Sequence, residues 1–247
     1  MTEKNTSITT STERRQSKHT FYQDHKPLSW LLIYGVFYMT AFYLLEQRDV
    51  SIHLIHCRLD DMIPFCKYFI LPYLLWFPFM GLTFVYIGWI QKDTKQMWQL
   101  FWHLTIGTTL FLFISWVYPN GQHLRPALYG DDIFTEAIRR LYQTDTPTNI
   151  LPSLHVYGTV VAAVAILEAP ALKEKKWLRV GTILLSLSII ASTVFLKQHS
   201  IIDGIVAIML NTACYFLCYR TDKFLRAVQP WITVPDGCRR IRYRTTK

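Results

Sequence analysis

Apolar residues in this chain fall in blocks rather than in amphipathic stripes. Leu28–Leu45, Phe69–Ile90, Trp98–Val117, Leu151–Leu167, Trp177–Leu196 and Ile201–Tyr219 are separated by short polar stretches. Each block is about the ~17–25 residues that a helix needs to cross a bilayer. Phe69–Ile90 carries no charge in 22 residues, and only Arg179 and Asp203 interrupt the others. A helix apolar on every side has no reason to face water, so the pattern predicts an all-α integral membrane protein with six transmembrane helices. The fourth block is short and its start irregular. Between the third and fourth blocks, "DDIFTEAIRRLYQTD" places Phe134, Ile138 and Tyr142 at i, i+4 and i+8, with Ile133, Ala137 and Leu141 beside them. That spacing predicts a short amphipathic helix on the outer surface, either walling a lateral lipid path or simply packing there.

The first block follows 27 polar residues with no small-residue cleavage pattern behind it, so it reads as a retained helix. Residues 1–27 are expected to be a disordered cytoplasmic tail, 28–219 the six-helix domain, and 220–247 a basic cytoplasmic tail. The net charge of +9 takes its meaning from where the charges lie. With six helices, nineteen of the 26 Lys and Arg fall on one face and seven on the other. The positive-inside rule then places both termini in the cytoplasm. "CRRIRYRTTK" reads as a juxtamembrane anchor for anionic lipid rather than a nucleic-acid site. Trp30, Trp76, Trp89, Trp98, Trp116, Trp177 and Trp231 mostly sit near block ends, as interfacial belts do. The five cysteines show no metal spacing. Cys214 and Cys218 read as packing, and an extracytoplasmic Cys57–Cys66 disulfide is the lesser alternative.

This topology brings four block ends to the outer face, and three polar islands lie at them. The first is Arg125–Pro126, whose guanidinium suits bidentate phosphate binding. The second is "PSLH", with Pro152 in the first turn of a helix. There the Ser153 hydroxyl and the N–H groups around Ser153 and Leu154 favour an anion, and His155 can move a proton near neutral pH. A capping serine with a structural histidine fits that stretch alone equally well. The third is "LKQHSIID", where His199 and Asp203, four residues apart, share a helix face. Asp203 inside an apolar span is a functional candidate because of its desolvation cost, and Lys197 lies two residues before His199. Together the islands suit phosphoryl transfer. A serine-hydrolase triad would leave Arg125 and Lys197 without a role, and the basic neighbours argue against a divalent metal at His155, His199 and Asp203.

These residues resemble the type 2 phosphatidic acid phosphatase superfamily, whose three motifs are K-x6-RP, PSxH and SR-x5-H-x3-D. The chain shows "RP" at Arg125–Pro126, "PSLH" at Pro152–His155 and "HSIID" at His199–Asp203. The resemblance implies that His199 is the nucleophile forming a phosphohistidine, that Asp203 orients it, and that His155 protonates the leaving oxygen. Arg125, Ser153 and the Leu154 N–H would hold the phosphoryl oxygens, with no cofactor and no metal. The family's first-motif Lys falls at Tyr118 and its third-motif Arg at Thr193, so Lys197 or His123 would have to replace them. The "KQH" form also resembles the inositol-phosphorylceramide-synthase-like branch, which transfers the phosphoryl group to an alcohol. The resemblance thus implies a lipid phosphate as substrate, with water or an alcohol as acceptor. A transporter or lipid-binding protein using the same islands to hold an anion is the rival from another class.

Overall fold

A computed structural model describes residues 29–91 and 93–221. The tail expected at residues 1–27, and all of the 220–247 tail beyond Thr221, with Trp231 and Cys238, lie outside the described residues. Within them the fold is helical: α1 Ser29–Glu46, α2 Arg58–Met62, α3 Ile70–Val85, α4 Thr94–Val117, α5 Ile133–Thr144, α6 Leu154–Glu168, α7 Lys176–Phe195 and α8 Ile201–Tyr215. A 3-10 turn (Lys67–Phe69) leads into α3, and π turns extend α3 to Gln91 and α8 to Arg220. Five of these segments are long and apolar enough to cross a membrane: Ser29–Glu46, Lys67–Gln91, Thr94–Val117, Lys176–Phe195 and Ile201–Arg220.

The fourth apolar block behaves differently. Its helix begins only at Leu154, because Ser153 is extended (φ −61°, ψ 115°) and serves as N-cap. Pro152 therefore precedes the helix instead of occupying its first turn. The remaining 15 residues rise about 22 Å, short of the ~30 Å hydrocarbon layer. This short helix is the centre of the bundle, touching α3, α4, α7 and α8. Val156, Tyr157, Val161 and Ala165 pack with Leu100 of α4 and Ala207 of α8, while Ala162 and Ala163 meet Phe79, Met80 and Ile189. Small residues on α6 let its neighbours approach closely, which is how helices associate where lipid removes the hydrophobic drive. A Cβ at Gly158 would stand 3.1 Å from the Trp76 ring. Trp76, a belt residue by sequence, is thus partly an interior residue.

α4 starts four residues before its apolar block. Asp93 caps it by accepting from Gln96 N at 3.1 Å, and Gln99 is buried with its amide donating to the Cys218 carbonyl at 3.2 Å. Hydropathy misses that turn because Thr94, Lys95 and Gln96 are polar. α1 has no buried residue in its span, but Tyr34 Oη lies 2.8 Å from both Thr108 Oγ1 and Thr109 Oγ1 of α4.

The loops at one end of the bundle are built as a layer. His53–Leu54 pairs in parallel with Asn120–Gly121, and Gly121 bridges to Thr148. Glu46 at the end of α1 accepts hydrogen bonds from Thr148 and Asn149, and Asn120 Oδ1 accepts from Ile150 N and Leu151 N, both at 2.9 Å. Cys57 and Cys66 are both free thiols. A helix does form over Ile133–Thr144, with Ile138 fully buried against Ile70, Tyr73 and Leu196. Its apolar face therefore packs onto the bundle, and Ile133 remains outside.

Candidate active site

The turn between α7 and α8 carries the third island. α7 ends at Phe195, and Lys197 takes a left-handed conformation (φ 55°) that reverses the chain. The Thr193 carbonyl then accepts from both Gln198 N (3.0 Å) and His199 N (3.1 Å). Ser200 caps α8, and Asp203 reaches back to accept from Ser200 N at 2.9 Å. This reciprocal cap satisfies two of the helix's free N–H groups and puts a carboxylate at its positive end. His199 lies one residue before the cap, not on the helix, so the capping turn rather than a shared helical face brings it to Asp203. His199 Nδ1 stands 3.4 Å from Asp203 Oδ2, without hydrogen-bond alignment. Asp203 is completely buried.

The start of α6 adjoins this turn. Ser153 N donates to the Asp203 carbonyl at 3.2 Å, and Ser153 Oγ accepts from Val156 N at 3.4 Å. The Ser153 N–H is thereby occupied; its hydroxyl proton and the Leu154 N–H, which has no carbonyl behind it in the helix, remain as donors. The His155 ring stacks on Tyr73 (centroids 4.3 Å apart) and leans on Trp76 (4.5 Å), and its centroid is 6.2 Å from that of His199.

Arg125 approaches from the loop after α4 and is held by the end of α5. It donates to the carbonyls of Tyr142 (3.0 Å) and Asp145 (2.6 Å) and to Gln198 Oε1 (2.5 Å), with the Tyr142 ring 4.5 Å below the guanidinium. The last carbonyls of a helix are its negative end and attract a cation. Burial pulls the Arg125 pKa below its ordinary value, and the charges of Asp145, Tyr142 and Tyr73 oppose that pull. α5 thus orients the first-island arginine, a role its amphipathic pattern alone did not reveal.

The structure therefore brings Arg125, Ser153, Leu154, His155, His199 and Asp203 to one end of the bundle. It does not bring the Lys197 ammonium to them. Lys197 Nζ donates to the carbonyls of Asp60 and Ile63, both at 2.5 Å, on the far side of its turn. His123 also stays outside, lining a cavity of about 650 Å³ with His56, Asp60, Asp61 and Lys197. Tyr118 stacks on His53, and Thr193 Oγ1 donates within its own helix, so neither motif gap is filled by a cation from those positions.

Five buried polar atoms in this cluster lack a hydrogen-bond partner: Arg125 Nε, His155 Nε2, Gln198 Nε2, His199 Nδ1 and Asp203 Oδ1. Leaving such a group unsatisfied costs about 1–3 kcal/mol, so their concentration in one place singles this cluster out as the candidate site. Four residues here escaped the sequence reading. Gln198 carried a signal, adjacent to His199 in "LKQH". Asp60, Tyr73 and Asp145 carried none, since nothing in their spacing links them to the motifs. Asp60 is buried on α2 and accepts from Cys57 N (2.8 Å), Ser200 Oγ (2.6 Å) and Ile201 N (2.8 Å). Among the described residues no group of three or more His, Cys, Asp or Glu could hold a metal ion.

The class these features define is a helical bundle of membrane-crossing composition with two histidines, an aspartate and an arginine gathered at one end. Residues 103–226, half of the chain, match the family model of the PAP2 superfamily, and the chain belongs to that family. Membership places it among proteins that hydrolyse or transfer phosphate esters. No curated protein and no solved structure gives a match to the chain.

Proposed function

We propose that the protein is a membrane-bound lipid phosphatase that cleaves a phosphate ester at the extracytoplasmic face. The observation that carries this is the convergence of Arg125 and the α6 N-terminus on His199 and His155, with their unsatisfied donors in one cluster. In this reading the chain crosses the membrane six times, with short α6 as the fourth crossing, both termini cytoplasmic and residues 28–219 as the enzyme domain. Arg125, Ser153 and the Leu154 N–H cradle the phosphoryl oxygens. His199 Nε2 attacks phosphorus, Asp203 stabilises the positive ring that results, and His155 gives its proton to the departing alcohol oxygen. Water then displaces the phosphoryl group from His199. Lys197 has a structural part, tying the nucleophile's turn to the α2 loop.

The membrane argues for a lipid ester, because an apolar belt surrounds the bundle directly below the site. Leu71, Leu74, Phe77, Leu187 and Met209 all point outward. The test is release of inorganic phosphate from lipid phosphates by the purified protein in detergent, with His199→Ala as control. Release by the wild type alone supports the phosphatase. Turnover that begins only when an alcohol is supplied identifies the phosphotransferase, which shares every residue named here. Anion binding without turnover by either protein would instead leave a transporter or lipid-binding protein.

A further inference from the structure

Tyr73 lies in the first turn of α3, within an apolar segment; it is fully buried at the site, and its hydroxyl has two polar neighbours. Tyr73 Oη is 3.2 Å from Asp145 Oδ2 and 3.4 Å from His155 Nδ1. A carboxylate can only accept, so the phenol proton goes to Asp145 and the phenol oxygen is left to accept from His155. That assignment places a proton on Nδ1 of His155. Its other nitrogen, Nε2, is buried without a partner, on a ring 6.2 Å from the His199 ring.

We propose that Asp145 and Tyr73 are positioning residues that hold His155 as the proton donor of the reaction, through the chain Asp145 carboxylate, Tyr73 hydroxyl, His155 Nδ1–H. This rests on the phosphoryl-transfer reading above. With Nδ1–H anchored, the second proton of the imidazolium sits on Nε2. When His199 Nε2 forms its bond to phosphorus, the P–O bond to the alcohol breaks and its electron pair stays on oxygen. The Nε2 proton of His155 passes to that oxygen, and His155 is left neutral with Nδ1–H still on Tyr73. The relay also gives the α5 end a double purpose: the Asp145 carbonyl holds Arg125 while its carboxylate acts on the acid. The other groups around the ring are Trp76 and Phe77 of α3 and His199. Arg125 lies behind Asp145, and Asp203 lies behind His199.

The test compares two substrates on the purified full-length protein. An alkyl phosphate releases an alkoxide, which needs a proton. p-Nitrophenyl phosphate releases a stable phenolate, which does not. Tyr73→Phe keeps the ring that stacks on His155 and removes only the hydroxyl. It is expected to lower kcat on the alkyl ester about 10- to 100-fold more than on the aryl ester, the scale of one hydrogen bond to a charged group. Asp145→Asn should show the same selectivity to a smaller degree, and His155→Gln to a larger one. An equal loss on both esters with Tyr73→Phe and with Asp145→Asn would mean the pair is merely structural, and no loss in either would overturn the relay outright. Wild-type protein that cleaves neither ester, with or without an added alcohol, overturns the phosphoryl-transfer reading itself and the relay with it.

Discussion

Replacing Asp60 by Ala should loosen the turn that carries His199 from a distance. One buried carboxylate on α2 accepts from Ser200 Oγ, Ile201 N and Cys57 N. The first two belong to the turn that presents His199 and to the first residue of α8. Hydrogen bonds to a charged group contribute about 1.5–3 kcal/mol each, and the Cys57 end recovers part of its loss from solvent. A destabilisation of about 3–5 kcal/mol follows from the bonds lost after that recovery. For a domain of this size that is a fall of roughly 6–20 °C in the unfolding midpoint, measured in detergent. The Asp60 carboxyl also has a pH signature. Burial raises its pKa, but the Ser200, Ile201 and Cys57 hydrogen bonds outweigh burial and hold it below its ordinary 3.8. A depressed folded-state pKa contributes stability that is complete above the unfolded value and disappears as pH falls through the folded one. Wild type should therefore lose stability below about pH 4, and Asp60→Asn should lose less across that window. A midpoint shift below about 2 °C for Asp60→Ala, with normal turnover, would refute the idea that α2 holds the His199 turn.

Three further outcomes are expected. His199→Ala should abolish turnover and leave the unfolding midpoint near the wild-type value, because Nδ1 has no hydrogen bond to lose. Arg125→Lys should lower turnover on the order of 10²-fold, since an ammonium cannot hold the Tyr142 and Asp145 carbonyls, Gln198 and a phosphoryl oxygen in one plane; steady-state kinetics on a lipid phosphate checks it. Gly107→Ala should destabilise the bundle by about 1–3 kcal/mol, seen in thermal unfolding. A Cβ there would stand 1.9 Å from Tyr157 Cζ, and moving that ring breaks its hydrogen bond to the His103 carbonyl.

Lys197 and Asp60 show where reading a chain in one dimension stops. Lys197 is two residues from His199, yet a left-handed backbone at that residue accompanies a side chain aimed at the Asp60 and Ile63 carbonyls. Sequence proximity to a nucleophile does not fix which side of a turn a long side chain takes. Asp60 is 139 residues from His199, with five helices (α3 to α7) between them, and no periodicity joins them. α6 is the intermediate case. Its apolar block, its shortness and its irregular start were legible, but not that an extended Ser153 delays the helix to Leu154.

The apolar blocks alone determined a helical membrane protein, because nothing but a helix of that length satisfies its own backbone inside lipid. The three short motifs likewise singled out candidate residues, all but Lys197 gathered at one end of the bundle, because local spacing places them at helix ends. Only the tertiary structure decided how they are held: Arg125 by the end of α5, His155 by Tyr73, and the His199 turn by Asp60. Those contacts join residues far apart in the chain, and their energy comes from burial and alignment that exist only once the helices have packed.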